Sequence, residues 1–285
     1  MAIDASQRPP ASDGAASDAP RLLLAAEQAV DLAAAAMRHG RFHVGALIAK
    51  SGRDFATPVD FEIERLVRTH LRAATPGIPF LGEEEGGPDL MADAIWVLDP
   101  IDGTANYTDG SPLCSISLAL VHRGQPVLAI VDAPLLGERF VALAGAGAFR
   151  NGAHIAVARR ELGDPLVALS DFAFGHKHRD TNPLRLAVIA ELVRRKMRLR
   201  IHGSVALDLA WLACGRMSAT IALSNIPWDV SAGVLLAREA GALVVDYDGS
   251  DHGPDASFTL AVAPAARATL LDVVARAREI AGAPR

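Results

Sequence analysis

Acidic residues close three stretches of this chain in a way that could do chemistry. Gly82-Glu83-Glu84-Glu85-Gly86 follows a short apolar run ending at Leu81. Asp99-Pro100-Ile101-Asp102-Gly103-Thr104 follows the apolar run Ala94 to Leu98, and Trp228-Asp229 comes directly after Pro227. Taken singly, each has an ordinary explanation: a solvated acidic loop, a pair of turn dipeptides, an acid in the first turn of a helix. Taken together they do not, because Asp99 and Asp102 flank a proline-constrained turn at the mouth of a buried strand, where stray carboxylates are costly. Two like charges about 4 Å apart repel by roughly 4 kcal/mol at an effective dielectric near 20. Such a cluster raises its own pKa values and takes up protons unless cations sit among the carboxylates. Oxygen-only donors select hard ions, Mg²⁺ before Mn²⁺ or Ca²⁺. Just beyond Asp102, Gly103 and Thr104 can turn successive backbone N–H groups toward one point, where a phosphate could sit. Carboxylate-held metal beside such a nest is equipment for phosphate-ester hydrolysis.

The elements that must position these residues are legible from periodicity. Leu22, Leu23, Ala26, Val30, Ala33 and Met37 recur at three- and four-residue steps and predict a long core-packing helix ending near Gly40. A second helix follows Pro58, with the stripe Ile63, Leu66, Val67, His70, Leu71 and Ala74 and with Asp60 placed to cap its first turn. Six short strands come next, Ile78 to Leu81, Ala94 to Leu98, Ser115 to Val121, Pro126 to Val131, Arg139 to Ala144 and Ala148 to Arg150, and their close spacing predicts a largely antiparallel sheet. From about residue 151 strands alternate with helices, with helices expected over Pro183 to Lys196, Ala206 to Cys214, Trp228 to Ala240 and Pro264 to Ile280. The expected organisation is a disordered leader over residues 1–20 and one phosphatase domain over 21–285. Its first half, to residue 150, carries the sheet and the metal site, and the second is α/β.

Composition removes several classes. With 285 residues, 28 Lys+Arg and 33 Asp+Glu, the formal charge of −5 argues against generic binding to nucleic acid or anionic membrane. The longest apolar run, Leu22 to Met37, is interrupted by Glu27, Gln28 and Asp31, too soon for a membrane span. Cys114 and Cys214 lie in apolar stretches and read as core residues of a protein in a reducing cytoplasm.

Gly82-Glu83-Glu84, the run Trp96-Val97-Leu98-Asp99-Pro100-Ile101-Asp102-Gly103-Thr104-Ala105-Asn106-Tyr107, and Trp228-Asp229-Val230-Ser231-Ala232-Gly233 together resemble the three signatures of the inositol monophosphatase family, in the same order. Gly145 to Gly152 and Gly203 to Ala210 add to the likeness, which spans roughly residues 22–281. The resemblance implies a layered α/β (α+β) sandwich of alternating helix pairs and sheets, of the inositol monophosphatase/fructose bisphosphatase type, and a homodimer. It implies that Glu83, Asp99 and the Ile101 carbonyl bind a first Mg²⁺ and that Asp99, Asp102 and Asp229 bind a second, with a third ion possible at Glu83. It further implies that Thr104 and Glu83 orient the attacking water, that Glu84 supports its shell and that Asp60 bonds toward Thr104. Asp102, Gly103, Thr104, Ala206 and Asp229 would meet a small phosphate ester, and Li⁺ would inhibit.

One position departs from the pattern. Where relatives acting on inositol phosphate carry a Glu, seven residues before the third-signature aspartate, this chain has Ala222, with Ser224 and Asn225 as alternative hydroxyl partners. Histidinol phosphate, a sugar bisphosphate or a 3′-phosphoadenosine nucleotide therefore stand beside a polyol phosphate as substrates, and a non-catalytic regulatory protein of the same fold is the alternative of another class. Gly145-Ala146-Gly147 reads as a hairpin rather than a dinucleotide loop. His176 and His178 read as an exposed loop, Arg194 to Arg200 as a helix end and edge strand with an anion-attracting role as the alternative, and His202 as structural.

Overall fold

The computed structural model describes residues 13–41, 45–50, 55–158, 165–172 and 181–282. Three apolar clusters define five layers. The first cluster joins helices α1 (Asp13–Gly40) and α2 (Pro58–Ala74) to one face of a seven-stranded sheet. That sheet contains β3 (Phe80–Gly82), β4 (Ile95–Asp102), β5 (Ser115–His122), β6 (Gln125–Ala133), β7 (Glu138–Leu143), β8 (Gly147–Arg150) and β9 (Ala153–Ile155), in chain order. Its other face packs on α5 (Val205–Ala213) and α6 (Pro227–Glu239), which also touch the second sheet. The second sheet has the order β11 (Arg198–Arg200), β10 (Leu166–Leu169), β12 (Ala219–Ala222), β14 (Thr259–Val262), β13 (Leu243–Val245). Helices α4 (Asn182–Arg194) and α7 (Arg267–Ala281) close its far face. The layers thus run helix pair, sheet, helix pair, sheet, helix pair, the sandwich that the family resemblance implies. A small antiparallel pair, β1 (Ile48–Ala49) and β2 (Phe55–Ala56), and the short helix α3 (Thr104–Thr108) complete the described elements.

Both faces of the larger sheet are covered at its centre, so β4 and β5 are largely apolar and still alternate by destination. Trp96 and Leu98 point to α1 and α2, Ile95 and Val97 to α5 and α6; on β5, Leu118 and Leu120 take the first direction and Ala119 and Val121 the second. Only β3 and β4 run parallel in this sheet, which puts the ends of both strands, and the acidic residues after them, at the same edge.

One expectation shifts. α1 starts at Asp13 and runs through Pro20, so residues 13–20 are helix and not leader: Ala15, Ala16 and Ala19 favour helix strongly enough to extend the periodic stretch backward. Residues 1–12 lie outside the described residues, as do His176 and His178. Gly145 and Gly147 form the β7–β8 hairpin as read, their N–H groups donating to Glu239 at 2.8 and 2.9 Å. Arg194 and Arg195 end α4 against Glu191, while Arg198 and Arg200 stand exposed on the edge strand β11. Among the described residues, no helix is long and apolar enough to cross a membrane.

Candidate active site

The route from strand to site begins with a register fault. β4 pairs with β5 continuously from Ile95 to Asp99, and the register then shifts before Asp102 meets Ser115. Pro100, without an N–H to give, sits inside this irregularity. Strict alternation would send Asp102 to the face of Trp96 and Leu98, toward α1 and α2. The shift turns it instead to the face of Asp99, where α5 begins. There Asp102 accepts hydrogen bonds from the Ser204 hydroxyl (2.6 Å) and the N–H groups of Ala206 (2.7 Å) and Val205 (3.3 Å). Burial raises the Asp102 pKa and these donors lower it, with Asp208 raising it again, to about 7. Ser204 also caps α5.

Asp99 is buried and has its Oδ1 on the Ile101 N–H at 3.0 Å. Its pKa stands well above the ordinary carboxylate range, first through desolvation and then through Glu83, Asp102 and Asp229, with a carboxyl–carboxyl hydrogen bond to Glu83 adding to it. The four acids expected to hold the two ions are therefore neighbours, from three separate stretches of the chain. Asp229 is brought in by the first turn of α6, whose Trp228 carbonyl accepts from the Ser117 hydroxyl of β5 at 3.0 Å.

The Thr104 hydroxyl lies 3.0 Å from the Ile101 carbonyl and 3.4 Å from Asp60 Oδ1. Asp60 is wholly buried as the N3 residue of a capping box: its Oδ2 accepts the Thr57 N–H (2.8 Å) and hydroxyl (2.6 Å), and Thr57, not Asp60, is the N-cap. Gly103 has φ +91°, and a Cβ there would stand 3.0 Å from the carbonyl oxygens of Gly203 and Leu113, so any side chain is strained in this turn. Ala206, expected at the substrate, lies beside Asp102 at the start of α5. It is wholly buried, and its N–H is spent on Asp102.

Several participants escaped the sequence reading. Lys50, at the end of the β1 segment, places Nζ 2.7 Å from Glu83 and 2.5 Å from Glu84. Burial opposes its charge, yet the two glutamates hold its pKa above the usual lysine range. Glu84 is pushed up to about 7, by desolvation first and by Glu83 and Asp60, against the pull of Lys50. Asn106 bridges the halves, its amide donating to the carbonyls of Leu113 (2.7 Å) and His202 (2.6 Å). Glu64 lies buried behind the Glu83 loop; its one-turn spacing from Asp60 beside the apolar stripe was the available signal. His202 is structural as read, with Nδ1 2.5 Å from Asp208 and its ring edge-on to Trp211.

The donor chemistry fits a hard divalent cation: the converging groups are carboxylates and a carbonyl, and Asp99 sits in an excess of negative charge that a cation relieves. A finished coordination cage is not preformed, since among the described residues no three Asp, Glu, His or Cys side chains stand in ion-holding geometry. Glu83 leans to Lys50, and Asp102 to the start of α5.

A model of the inositol monophosphatase family matches residues 19–282. The chain belongs to the inositol monophosphatase family. It is 41% identical over 228 residues to a probable inositol 1-monophosphatase ImpA of Mycobacterium tuberculosis, covering 80% of this chain and 84% of that protein. It is 40% identical over 205 residues to a Nus factor SuhB of Xylella fastidiosa, covering 72% and 74%. Among solved structures, an IMPase from Thermotoga maritima superposes with a TM-score of 0.80 at 29% identity, over 88% of this chain and 95% of that one. Membership agrees with the five-layer order and makes phosphatase chemistry the family-level function. Ala222 is wholly buried opposite Thr259, and the Asn225 amide is committed to the carbonyls of Gly253 (3.0 Å) and Pro254 (3.2 Å).

Proposed function

We propose that this chain hydrolyses a small phosphate monoester, an inositol monophosphate or a similar polyol phosphate, in a Mg²⁺-dependent reaction at the acidic cluster. The observation that carries the reading is buried Asp99 crowded by Glu83, Asp102 and Asp229. Glu83, Asp99, the Ile101 carbonyl, Asp102 and Asp229 would hold two Mg²⁺, with a third at Glu83. When bound, the ions supply charge neutralisation, a more acidic water and stabilisation of the leaving alkoxide. The chain's own part is positional. Thr104, its hydroxyl placed by Ile101 and Asp60, orients the attacking water together with Glu83. Glu84, with a pKa near neutrality, hydrogen-bonds that water's surroundings. The turn at Gly103 presents backbone N–H groups, with Thr104, to the phosphate oxygens, and Asp102 and Asp229 border the same space. Holding water and ester in one geometry is the larger share of such catalysis.

Ala222 leaves the ester's alcohol without the acidic partner that polyol recognition uses, which keeps histidinol phosphate, sugar bisphosphates and 3′-phosphoadenosine nucleotides in the substrate class. Phosphate release from inositol 1-phosphate, histidinol phosphate, fructose 1,6-bisphosphate and 3′-phosphoadenosine 5′-phosphate, assayed with Mg²⁺ and with Mg²⁺ plus Li⁺, tests the reading. The expected result is turnover with a polyol phosphate ahead and inhibition by Li⁺. Preference for one of the other esters overturns the polyol assignment, and no release from any of them favours the second reading, a regulatory protein, for which the likeness to a Nus factor SuhB speaks. A homodimer and a cytoplasmic setting complete the proposal, supported by the family likeness and by two free cysteines.

A further inference from the structure

We propose that Glu64 is a positioning residue that sets the divalent-ion affinity of the site by fixing the Glu83–Glu85 loop, without touching ion or substrate. The inference rests on the phosphatase reading above. Glu64 projects from α2 one helical turn after Asp60, and both carboxyl groups are wholly buried. Its Oε2 accepts the Glu84 N–H at 2.8 Å, and its Oε1 accepts the Glu85 N–H at 3.0 Å. Two successive amides thus close on one carboxylate, the geometry of an anion nest filled from within the protein. The preceding amide, that of Glu83, is tied to the Leu98 carbonyl of β4 at 3.2 Å. All three backbone N–H groups of the acidic loop are therefore fixed, one by the sheet and two by Glu64.

The clamp is braced from outside and shaped from within. Arg68 Nη2 donates to Glu64 Oε1 at 2.6 Å and to the Gly86 carbonyl at 3.0 Å, with its guanidinium over the Phe80 ring. At Gly82 any Cβ would overlap the Glu64 carboxyl group, so glycine at this point is the condition for the carboxylate to reach the loop. A carboxylate is the side chain required here: it accepts from three donors, whereas an amide would turn an NH₂ toward one of them. Because Asp60 reaches Thr104 while Glu64 holds the Glu83 loop, one rigid helix face spaces the two groups assigned to the attacking water.

The test uses the full chain, with Mn²⁺ as the probe. Glu64→Gln keeps the volume and removes the charge; Arg68→Gln leaves Glu64 in place and removes its brace. Mn²⁺ binding without ester, followed by electron paramagnetic resonance, is expected to weaken about tenfold or more in Glu64→Gln and by about threefold in Arg68→Gln. The Mg²⁺ concentration for half-maximal phosphate release rises in step, while KM for the ester at saturating Mg²⁺ stays within about twofold. Circular dichroism establishes that each variant is folded. A folded Glu64→Gln with the parent's Mn²⁺ affinity overturns the proposal, as does a loss confined to kcat. If Glu64→Gln does not fold, Arg68→Gln decides, with unchanged Mn²⁺ affinity as the refuting outcome. A parent chain that takes up no Mn²⁺ overturns the metal reading itself and this inference with it.

Discussion

Asp99→Asn separates what the acidic cluster does for activity from what it costs the fold. The asparagine keeps the shape and can still accept the Ile101 N–H through Oδ1, so the one backbone bond recorded at 3.0 Å survives. What disappears is a buried negative charge facing Glu83, Asp102 and Asp229. A single like charge about 5 Å away repels by roughly 3 kcal/mol at an effective dielectric of 20, and protonation of Asp99 discharges part of this in the parent. Allowing for that relief, Asp99→Asn is expected to stabilise the metal-free chain by about 1–3 kcal/mol. The sign of the pH dependence follows from the raised pKa. The folded parent binds the Asp99 proton more tightly than the unfolded chain does, so its stability falls as pH rises above the ordinary carboxylate range, and the advantage of the variant grows in the same direction. Thermal and urea unfolding in EDTA at pH 5 and pH 8 measure both terms. Added MgCl₂ should then raise the parent's midpoint and leave the variant's nearly unmoved, because binding to the folded state alone stabilises it. Phosphate release by the variant should fall at least about 100-fold. A variant that is less stable in EDTA at pH 8, or that retains activity within about tenfold, would refute the reasoning.

Three further outcomes follow from other contacts. His252 is buried and held down to about 4 by desolvation and by Arg238, against Asp246, while its Nε2 donates to Thr259, whose hydroxyl is given to the Ser224 carbonyl. Its depressed pKa contributes stability present above about 6.5 and lost as pH falls toward 4, worth up to about 3 kcal/mol, and urea midpoints of His252→Gln should lack this slope. Gly103→Ala forces a side chain onto φ +91° beside two carbonyl oxygens, and should lower stability by about 1–2 kcal/mol and phosphate release by more than the stability loss accounts for, read by parallel melts and kinetics. Gly233→Ala puts a methyl 2.5 Å from Leu209 where α6 crosses α5, and should cost about 1–3 kcal/mol in a thermal melt while KM stays near the parent's.

The elements were legible because strands buried on both faces leave short apolar runs bounded by Gly, Pro or Asp while helices leave a one-sided stripe, and the order of the layers came with the family resemblance. The acids, too, announced themselves: each follows an apolar stretch and has no packing role of its own. What stayed hidden was set by long-range geometry. That Asp102 faces α5 depends on a register shift around Pro100, and no local pattern says how a bulge resolves. Lys50 directly follows the first of two two-residue strands, too short to leave a periodic trace, and α3, at five residues, is equally silent. Ala206 carried the family's motif, yet only the fold shows its amide turned to Asp102. The helical start at Asp13 was masked by Pro20, which reads as a boundary and is instead carried inside α1.

Asp102 draws its three donors from residues about a hundred positions further on, and Asp229 arrives later still. A polypeptide emerging from the ribosome therefore exposes Glu83, Asp99 and Asp102 at a sheet end long before α5 and α6 exist to slot in behind them. A translation product cut short ahead of α6 could pair its first strands and would still be inert. Phosphate release, if the proposed function holds, would certify that synthesis had passed α6.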